Sequence, residues 1–339
     1  MCQSIRCTRR VFSLFVLISL LLLSCETEKY PYYLSADHGV LWIANSADNT
    51  ATCINRIRNE TIGTYPVGPN PSRTAVDLFG NCWVGSRNDD TVWFVTQSGE
   101  TEVYHGFNNA RGVALDREGN VWIANSGNST IQKIDTSTGS VSGQVTIPGA
   151  TYLYGAVIDG NNTLWLSDSS SDIVFRYDTA QFPSIDTLDS VSVDVYGITV
   201  DFDGYVWAAG PGSGVISRID PDTMEVMAIT TTSVMLSGVT PDIHNRIWFC
   251  DDYANALIRY DPQTEEFDSF PVNGTRPHGV AADDNGFVYS VNMDSDTVSK
   301  LDVETGEIIH IFEVGSVPYT YSDLTGFIYR RITLGGNDS

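Results

Sequence analysis

"GNVWIANSGNSTIQKIDTSTG", residues 119–139, decides the fold of this chain. It joins a glycine turn, an aromatic residue between small apolar ones, and a second turn built from threonine, serine and glycine. Near-copies stand at residues 39–50, "GVLWIANSADNT", and at residues 286–306, "GFVYSVNMDSDTVSKLDVETG". The chain therefore repeats one structural unit, and each unit is expected to pack against the next.

The copies align on their central aromatic residue. Successive aromatics lie 39 to 43 residues apart, at Trp42, Trp83, Trp122, Trp165, Trp207, Trp248, Tyr289 and Tyr329. Six of the seven tryptophans of the protein fall in this register, which chance does not supply. An aspartate stands six residues before the aromatic in nearly every copy, and glycine or asparagine stands three residues before it.

Each copy predicts four β-strands. In the third copy, the segments "GVALD", "VWIAN", "TIQKID" and "SGQVTI" are apolar or alternating and are separated by turn residues. Asp116 can accept backbone N–H groups in the first turn, where Gly119 tolerates a positive φ. Four strands per roughly 40 residues is the period of a β-propeller blade. We therefore predict an all-β chain with a single propeller, whose repeated aromatic is buried between neighbouring blades.

The number of blades follows from how the ring closes. An open ring would leave unpaired strand edges, so the two ends of the chain are expected to meet. Seven full repeats start at Trp42, whereas the eighth, around Tyr329, supplies a strand or two and stops. We predict seven four-stranded blades over residues 32–335, with the C-terminal strand pairing with the first blade. Eight blades is the alternative, since residues 32–42 could supply their own inner strand.

The first 24 residues predict an export signal that is not part of the propeller. Three arginines precede an apolar stretch at residues 11–23, which is short for a membrane-spanning helix. The stretch ends in Leu-Leu-Ser-Cys, which looks like a bacterial lipobox and predicts lipidation of Cys25, followed by a tether at residues 25–31. We expect an extracytoplasmic protein of the bacterial cell envelope, anchored to a membrane by its acyl chains. An ordinary signal peptide with a chance cysteine is the alternative.

Charge and cysteine content narrow the classes of partner. The formal net charge is -23, and so acidic a surface repels nucleic acid phosphates, which makes RNA and DNA improbable partners. Cys53, Cys82 and Cys250 remain after the signal, an odd number at wide spacing, so no disulfide framework is expected. We expect a monomer.

Several segments resemble known repeat families. "TIGTYPVGPNPSRTAVD" and "VWIANSGNSTIQKIDTSTG" resemble YVTN and NHL repeats, while "YGITVDFDGYVW" and "TRPHGVAADDNGFVY" resemble the streptogramin B lyase family of seven-bladed propellers. The likeness covers nearly all of residues 32–330. In those lyases a histidine base stands in a Pro-His-Gly-like step, which implies a catalytic role for His278. Their magnesium is held by glutamates after the blade aromatic, where this chain has "WIAN", "WLSD" and "YSVN" instead.

One set of positions, just before each predicted inner strand, varies between the repeats. In a propeller these positions gather at one mouth of the central channel, and variation on a repeated frame is where a ligand site can arise. Tyrosine and arginine there suit a polar or anionic small molecule, or an aromatic peptide; the alternative is a solvated funnel without a ligand. The predicted ligand-binding residues are Arg73, Arg111, Tyr154, Tyr196, Arg276, His278 and Tyr319, and Ser72 and Ser237 occupy the corresponding positions of two other repeats.

A second set lies three residues after each aromatic and is rich in side-chain oxygen. Carboxylate and amide oxygens are ligands for Ca2+ or Mg2+, and the related gluconolactonase-type propellers hold a cation with such residues. The alternative is that these side chains cap strand ends and turns. The predicted metal ligands are Asn45, Asn125, Asp168, Asp251 and Asn292.

Two functions follow from these predictions. The favoured one is a membrane-anchored propeller that binds a small molecule or protein partner at the channel mouth without turnover. The alternative is a metal-assisted lyase or lactonase, in which His278 is the general base and a divalent cation is the Lewis acid. A single candidate histidine and the lack of matched glutamates favour binding.

Overall fold

The computed structural model describes residues 38–320 and 322–335. The predicted signal, tether and lipidated Cys25 lie outside the described residues. Within them, 28 strands form seven antiparallel sheets, and each sheet is one blade whose strands follow one another from the inside outward. No helix in this part of the chain has the length and apolar character needed to cross a membrane.

The strands divide among the blades as follows. Blades 1 to 3 contain β1 (Val40–Asn45), β2 (Thr50–Asn55), β3 (Glu60–Pro66); β4 (Pro71–Val76), β5 (Cys82–Ser86), β6 (Thr91–Val95), β7 (Thr101–His105); and β8 (Ala110–Leu115), β9 (Val121–Asn125), β10 (Thr130–Asp135), β11 (Ser140–Val141), β12 (Val145–Thr146). Blades 4 and 5 contain β13 (Leu153–Ile158), β14 (Thr163–Asp168), β15 (Ile173–Asp178), β16 (Asp189–Ser192); and β17 (Gly197–Val200), β18 (Val206–Ala209), β19 (Val215–Ile219), β20 (Val226–Thr230). Blades 6 and 7 contain β21 (Leu236–Pro241), β22 (Ile247–Asp251), β23 (Ala256–Asp261), β24 (Glu266–Pro271); and β25 (Pro277–Ala282), β26 (Phe287–Asn292), β27 (Thr297–Asp302), β28 (Ile308–Glu313).

The third blade shows how the local sequence produces these strands. The carboxylate of Asp116 accepts the backbone N–H groups of Glu118 and Asn120, at 3.1 and 2.8 Å. Gly119 has a φ of 81°, the left-handed conformation that glycine adopts without steric cost. The predicted turn between the first two strands is therefore confirmed. The outer strand differs from the prediction, because β11 and β12 are two short pieces that pair separately with β10.

The repeated aromatics lie between blades, as predicted. The tryptophans of the register are at most 4% exposed, and Tyr289 is fully buried. Trp207 of blade 5, for example, packs against Ile247 and Phe249 of blade 6. Its indole N–H donates to the carboxylate of Asp201 at 2.7 Å, and the equivalent bond recurs in blades 3, 4 and 6. The aspartate six residues before the aromatic thus accepts both the turn amides and the indole N–H, which explains its repetition.

The C-terminal segment closes the ring of seven blades. The backbone of Tyr319 donates to Ala44 at 2.8 Å, and Trp42 donates to Leu324 at 3.0 Å, so residues 317–320 and 322–324 line the inner edge of β1. This is the predicted closure with seven blades, and the eight-blade alternative is wrong.

The end of the eighth repeat differs from the prediction of a further strand. Its aromatic, Tyr329, lies in a π-helical turn, Tyr329–Thr333. Phe327 and Ile332 pack against Val200 and Ala282, the last residues of two inner strands. The closed ring already has seven paired inner strands, so the remaining chain covers their ends instead of pairing.

Candidate functional site

The inner strands turn a set of side chains toward the mouth of the channel. Five of them, β4, β8, β13, β21 and β25, shift register at their second or third residue. A β-bulge of this kind re-aims a side chain at the end of a strand. The predicted mouth residues therefore lie mostly inside the inner strands, and not just before them as the sequence suggested.

Glycine follows the mouth residue in most blades and allows the inner strands to approach each other. A Cβ atom on Gly197 would lie 2.1 Å from the carbonyl oxygen of Ser237 in the next blade, and one on Gly238 would lie 2.9 Å from that of His278. Blade 2 has Arg73 at this position, and its side chain is fully buried.

Three tyrosine hydroxyl groups meet at the centre of the mouth. Tyr154, Tyr196 and Tyr319 come from blade 4, blade 5 and the closing segment, and each hydroxyl is within hydrogen-bond distance of the other two. The rings of Tyr154 and Tyr196 are 4.4 Å apart between centroids. We call Tyr154, Tyr196, Tyr319 and His278 the mouth cluster.

His278 links the tyrosines to a buried carboxylate. Its Nε2 atom lies 2.9 Å from the hydroxyl oxygen of Tyr196, and its Nδ1 atom lies 2.9 Å from Oδ2 of Asp252. The other carboxylate oxygen accepts the hydroxyl of Ser237. Both side chains of the His278–Asp252 pair are almost completely buried. The carboxylate therefore holds the imidazole in one orientation, with Nε2 directed at the tyrosine hydroxyls.

Arginines pack against the tyrosine rings of the mouth cluster. The guanidinium carbons of Arg73 and Arg111 lie 4.3 and 4.5 Å from the ring centroid of Tyr154, and that of Arg87 lies 4.8 Å from Tyr319. These are distances of cation–π contact. Arg111 also donates to the hydroxyl of Tyr152 at 3.0 Å.

These neighbours move the pKa values of the tyrosines in opposite directions. Burial raises the pKa of Tyr154 to about 12 and that of Tyr196 well above its ordinary value. Burial also acts on Tyr319, but the positive charges of His278 and Arg73 and the hydrogen bonds from the other two tyrosines outweigh it and lower its pKa to about 7. Tyr319 is thus the hydroxyl of the cluster that ionises most easily. Burial lowers the pKa of Arg73 to about 10.

The structure brings six of the seven predicted ligand-binding residues into one group. Arg276 stays at its rim: 44% of its side chain is exposed, and its Nε atom lies 3.6 Å from Oδ2 of Asp252. Sequence reasoning missed Asp252 and Arg87. Both stand four residues after the blade aromatic, where the other repeats have serine, proline or methionine. Variation at that position was the available signal.

The five predicted metal ligands lie one per blade, each paired with the start of an inner strand. The amide nitrogens of Asn45, Asn125 and Asn292 each donate to two side chains of the following strand. The carboxylates of Asp168 and Asp251 accept backbone N–H groups of their own turns, and Asp168 also accepts the backbone N–H of Tyr152, just before β13.

These contacts are the ones expected if the five side chains cap strand ends and turns, and they do not fit a Ca2+ or Mg2+ site. Over residues 38–320 and 322–335, no group of three histidine, cysteine, aspartate or glutamate side chains could hold a metal ion. A cation at these five positions stays a prediction that their contacts do not favour.

Comparison with known proteins agrees with the fold. Residues 107–134 match the NHL repeat. The matched NHL repeat spans the three inner strands of blade 3, β8 to β10. No curated protein matches the chain in sequence.

Solved structures match over most of the chain. A streptogramin B lyase structure is 17% identical, with a TM-score of 0.67, and covers 76% of this chain and 88% of its own. A catalytically inactive histidine-to-alanine variant of virginiamycin B lyase from Staphylococcus aureus, with quinupristin, gives the same identity and TM-score over 76% of this chain and 89% of its own. Hydrazine synthase of Kuenenia stuttgartiensis is 16% identical, with a TM-score of 0.70, over 79% and 93%. Identities this low show a shared fold alone.

Proposed function

We propose that the mouth of the propeller binds a small organic anion carrying carboxylate or phosphate groups. The observation that carries the proposal is the arginine group around Tyr154 and Tyr319. In the described part of the chain, neither Arg87 nor Arg111 forms an ion pair with a carboxylate, and the Nε and Nη1 atoms of Arg111 are buried without a hydrogen-bond partner. A buried donor without a partner is costly, and a ligand oxygen would satisfy it.

The negative charge of the rest of the protein supports an anionic ligand at the mouth. The chain is strongly acidic, so cationic side chains gathered at one point are an exception that its average composition does not explain. Guanidinium groups bind carboxylate and phosphate with two parallel hydrogen bonds, and tyrosine hydroxyls can donate to the same oxygens. The half-buried side chains of Arg87 and Tyr152 form the accessible wall of this mouth.

Calorimetric titration with citrate and with inorganic phosphate tests the proposal. We expect binding of at least one of the two, and we expect Arg111→Gln to weaken it at least about tenfold, equal to about 1.4 kcal/mol. The matched control is Arg58→Gln, which removes an exposed arginine from a turn at the opposite face of blade 1. Binding of neither anion, or equal losses in both variants, would contradict the proposal.

The second candidate is an acid–base enzyme of the lyase or lactonase kind. The contact that favours it is the 2.9 Å pair between His278 and Asp252, because a carboxylate that orients an imidazole is a recurrent arrangement for a general base. In this candidate His278 accepts the substrate proton at Nε2 after the substrate displaces the Tyr196 hydroxyl. If the protein turns over a streptogramin or a lactone, and His278→Ala abolishes that turnover, then the protein is an enzyme and does not act by binding alone.

We further propose that the protein is held at a membrane of the bacterial cell envelope, on its extracytoplasmic side, by lipid on Cys25. The support is the Leu-Leu-Ser-Cys sequence at the end of the apolar stretch. Mass spectrometry of the protein from its source should find a chain that begins at an acylated Cys25. A mature chain with an unmodified thiol at Cys25 would exclude this anchor.

A further inference from the structure

We propose that the mouth cluster is a site for a ferric ion, bound by the phenolate oxygens of Tyr154, Tyr196 and Tyr319 and by Nε2 of His278. The anion of the proposed function would complete the coordination, so this inference rests partly on that function. None of the five metal ligands predicted from the sequence contributes to this site.

The first support is the convergence of four donor atoms. The three hydroxyl oxygens are mutually within hydrogen-bond distance, and Nε2 of His278 lies 2.9 Å from the oxygen of Tyr196. The donors come from blades 4, 5 and 7 and from the closing segment, so the whole ring holds them together.

The second support is the partner of the histidine on its far side. Histidines that bind metal commonly donate their other ring N–H to a carboxylate, which sets the tautomer and strengthens the metal-bound nitrogen. Oδ2 of Asp252 lies 2.9 Å from Nδ1 of His278 and is itself buried. With the proton on Nδ1, the lone pair of Nε2 faces the three tyrosine oxygens.

The third support is the balance of charge and ligand type. Phenolate is a hard anionic oxygen donor suited to ferric iron, and imidazole is an accepted ligand of iron. Binding replaces three O–H bonds with three iron–oxygen bonds and releases three protons to solvent, so three negative charges offset the three positive charges of the ion. This neutralisation matters because the nearby guanidinium groups of Arg73 and Arg111 would repel an ion whose positive charge was not offset by the phenolates.

The same arginines leave a place for the companion anion. Four protein donors leave two of six octahedral positions open. Arg111, which contacts the ring of Tyr154 and lies 6.0 Å from that of Tyr319, could hold a carboxylate or phosphate that fills them. The ion and the anion would then bind more tightly together than either binds alone.

Titration of the purified full chain with ferric nitrilotriacetate, with and without phosphate, tests the inference. We expect one iron per chain and a visible phenolate-to-iron charge-transfer band. Tyr319→Phe should weaken ferric binding at least about 100-fold, and Asp252→Asn about 10- to 100-fold through loss of the histidine's orientation. The matched control is Tyr177→Phe, since Tyr177 is a buried tyrosine that donates its hydroxyl to the carbonyl of Ser184, away from the mouth.

The outcomes separate this inference from the proposed function. A missing band, or a band unchanged in Tyr319→Phe, overturns the iron site, while citrate or phosphate binding without iron leaves the proposed function standing. A band that forms without any anion dependence and is unaffected by Arg111→Gln supports iron and contradicts the anion site. Thermal unfolding of every variant shows whether it folds. If Tyr319→Phe does not fold, Tyr196→Phe takes its place, because it removes a different phenolate. The inference fails if Tyr196→Phe keeps the band.

Discussion

Deleting residues 317–339 is expected to abolish cooperative folding of the propeller. The deletion removes the closing segment at the inner edge of blade 1, which accepts and donates backbone hydrogen bonds along β1. It also removes Leu324, Phe327, Tyr329 and Ile332, all at most 5% exposed. Burying a large apolar side chain stabilises a fold by roughly 1.5–3 kcal/mol, so these four together approach the whole stability of a typical domain, about 5–15 kcal/mol.

The unpaired β1 adds a second penalty. The cut exposes the backbone edge of a strand whose six residues are all buried in the full chain. An exposed apolar edge of this kind pairs with other chains, so the truncated protein should aggregate.

Circular dichroism and tryptophan fluorescence during heating provide the measurement. The matched control is a chain that ends at residue 335, which keeps every described residue and should unfold like the full chain. A peptide of residues 317–335 added to the truncated chain should restore part of the transition. A truncated chain that retains a cooperative transition within a few degrees of the full chain would show that closure is not needed.

Replacing Arg56 with alanine is expected to lower the free energy of unfolding by about 3–5 kcal/mol. Nη1 of Arg56, in blade 1, lies 2.5 Å from Oδ2 of Asp283, in the turn after β25 of blade 7, and both side chains are at most 1% exposed. The same carboxylate oxygen accepts the hydroxyl of Tyr289 at 2.7 Å. Without Arg56, Asp283 keeps a buried negative charge but loses its ion-pair partner at the junction where the ring closes.

Chemical denaturation of Arg56→Ala and of the double variant with Asp283→Asn measures this effect. The double variant should be less destabilised than the sum of the single variants, because it contains no lone buried charge. The matched control is Asp189→Ala, which breaks the pair with Arg176 at the protein surface and should change stability by no more than about 1 kcal/mol. Equal effects of Arg56→Ala and Asp189→Ala would show that the buried pair does not stabilise the junction.

The interior of each blade could be predicted from the sequence because its cause is local. The turn formed by Asp116 and Gly119 and the two strands that follow are set by residues within about a dozen positions of one another. The burial of Trp122 also followed from repetition alone, since a repeated large aromatic has to be covered by the next copy. The helical turn at Tyr329 escaped prediction because it depends on the closed ring that it covers.

The candidate site could be predicted only in part. The variable positions indicated Tyr154, Tyr196 and His278, since asymmetry within a repeat is visible in sequence. They did not indicate which neighbour would orient the histidine. Asp251 was the predicted ligand, yet its carboxylate caps its own turn, and the adjacent Asp252 contacts His278 instead. Asp251 is the last residue of β22 and Asp252 is the first residue of the turn that follows, so one step along the chain separates a structural role from a role in the site.

The sequence by itself determined the repeating blade and favoured seven blades closed through the C-terminus, because the period of the repeat can be counted. The choice between seven and eight blades was made by the tertiary structure, in which the closing segment pairs with β1. The sequence also predicted that the variable positions gather at one mouth of the channel. Only the tertiary structure decided that three tyrosine hydroxyls and the imidazole of His278 contact one another there, and that Asp252 and Arg87 join them. They are neighbours because a closed ring places the same end of every inner strand at one axis, and because bulges in those strands turn the side chains toward it.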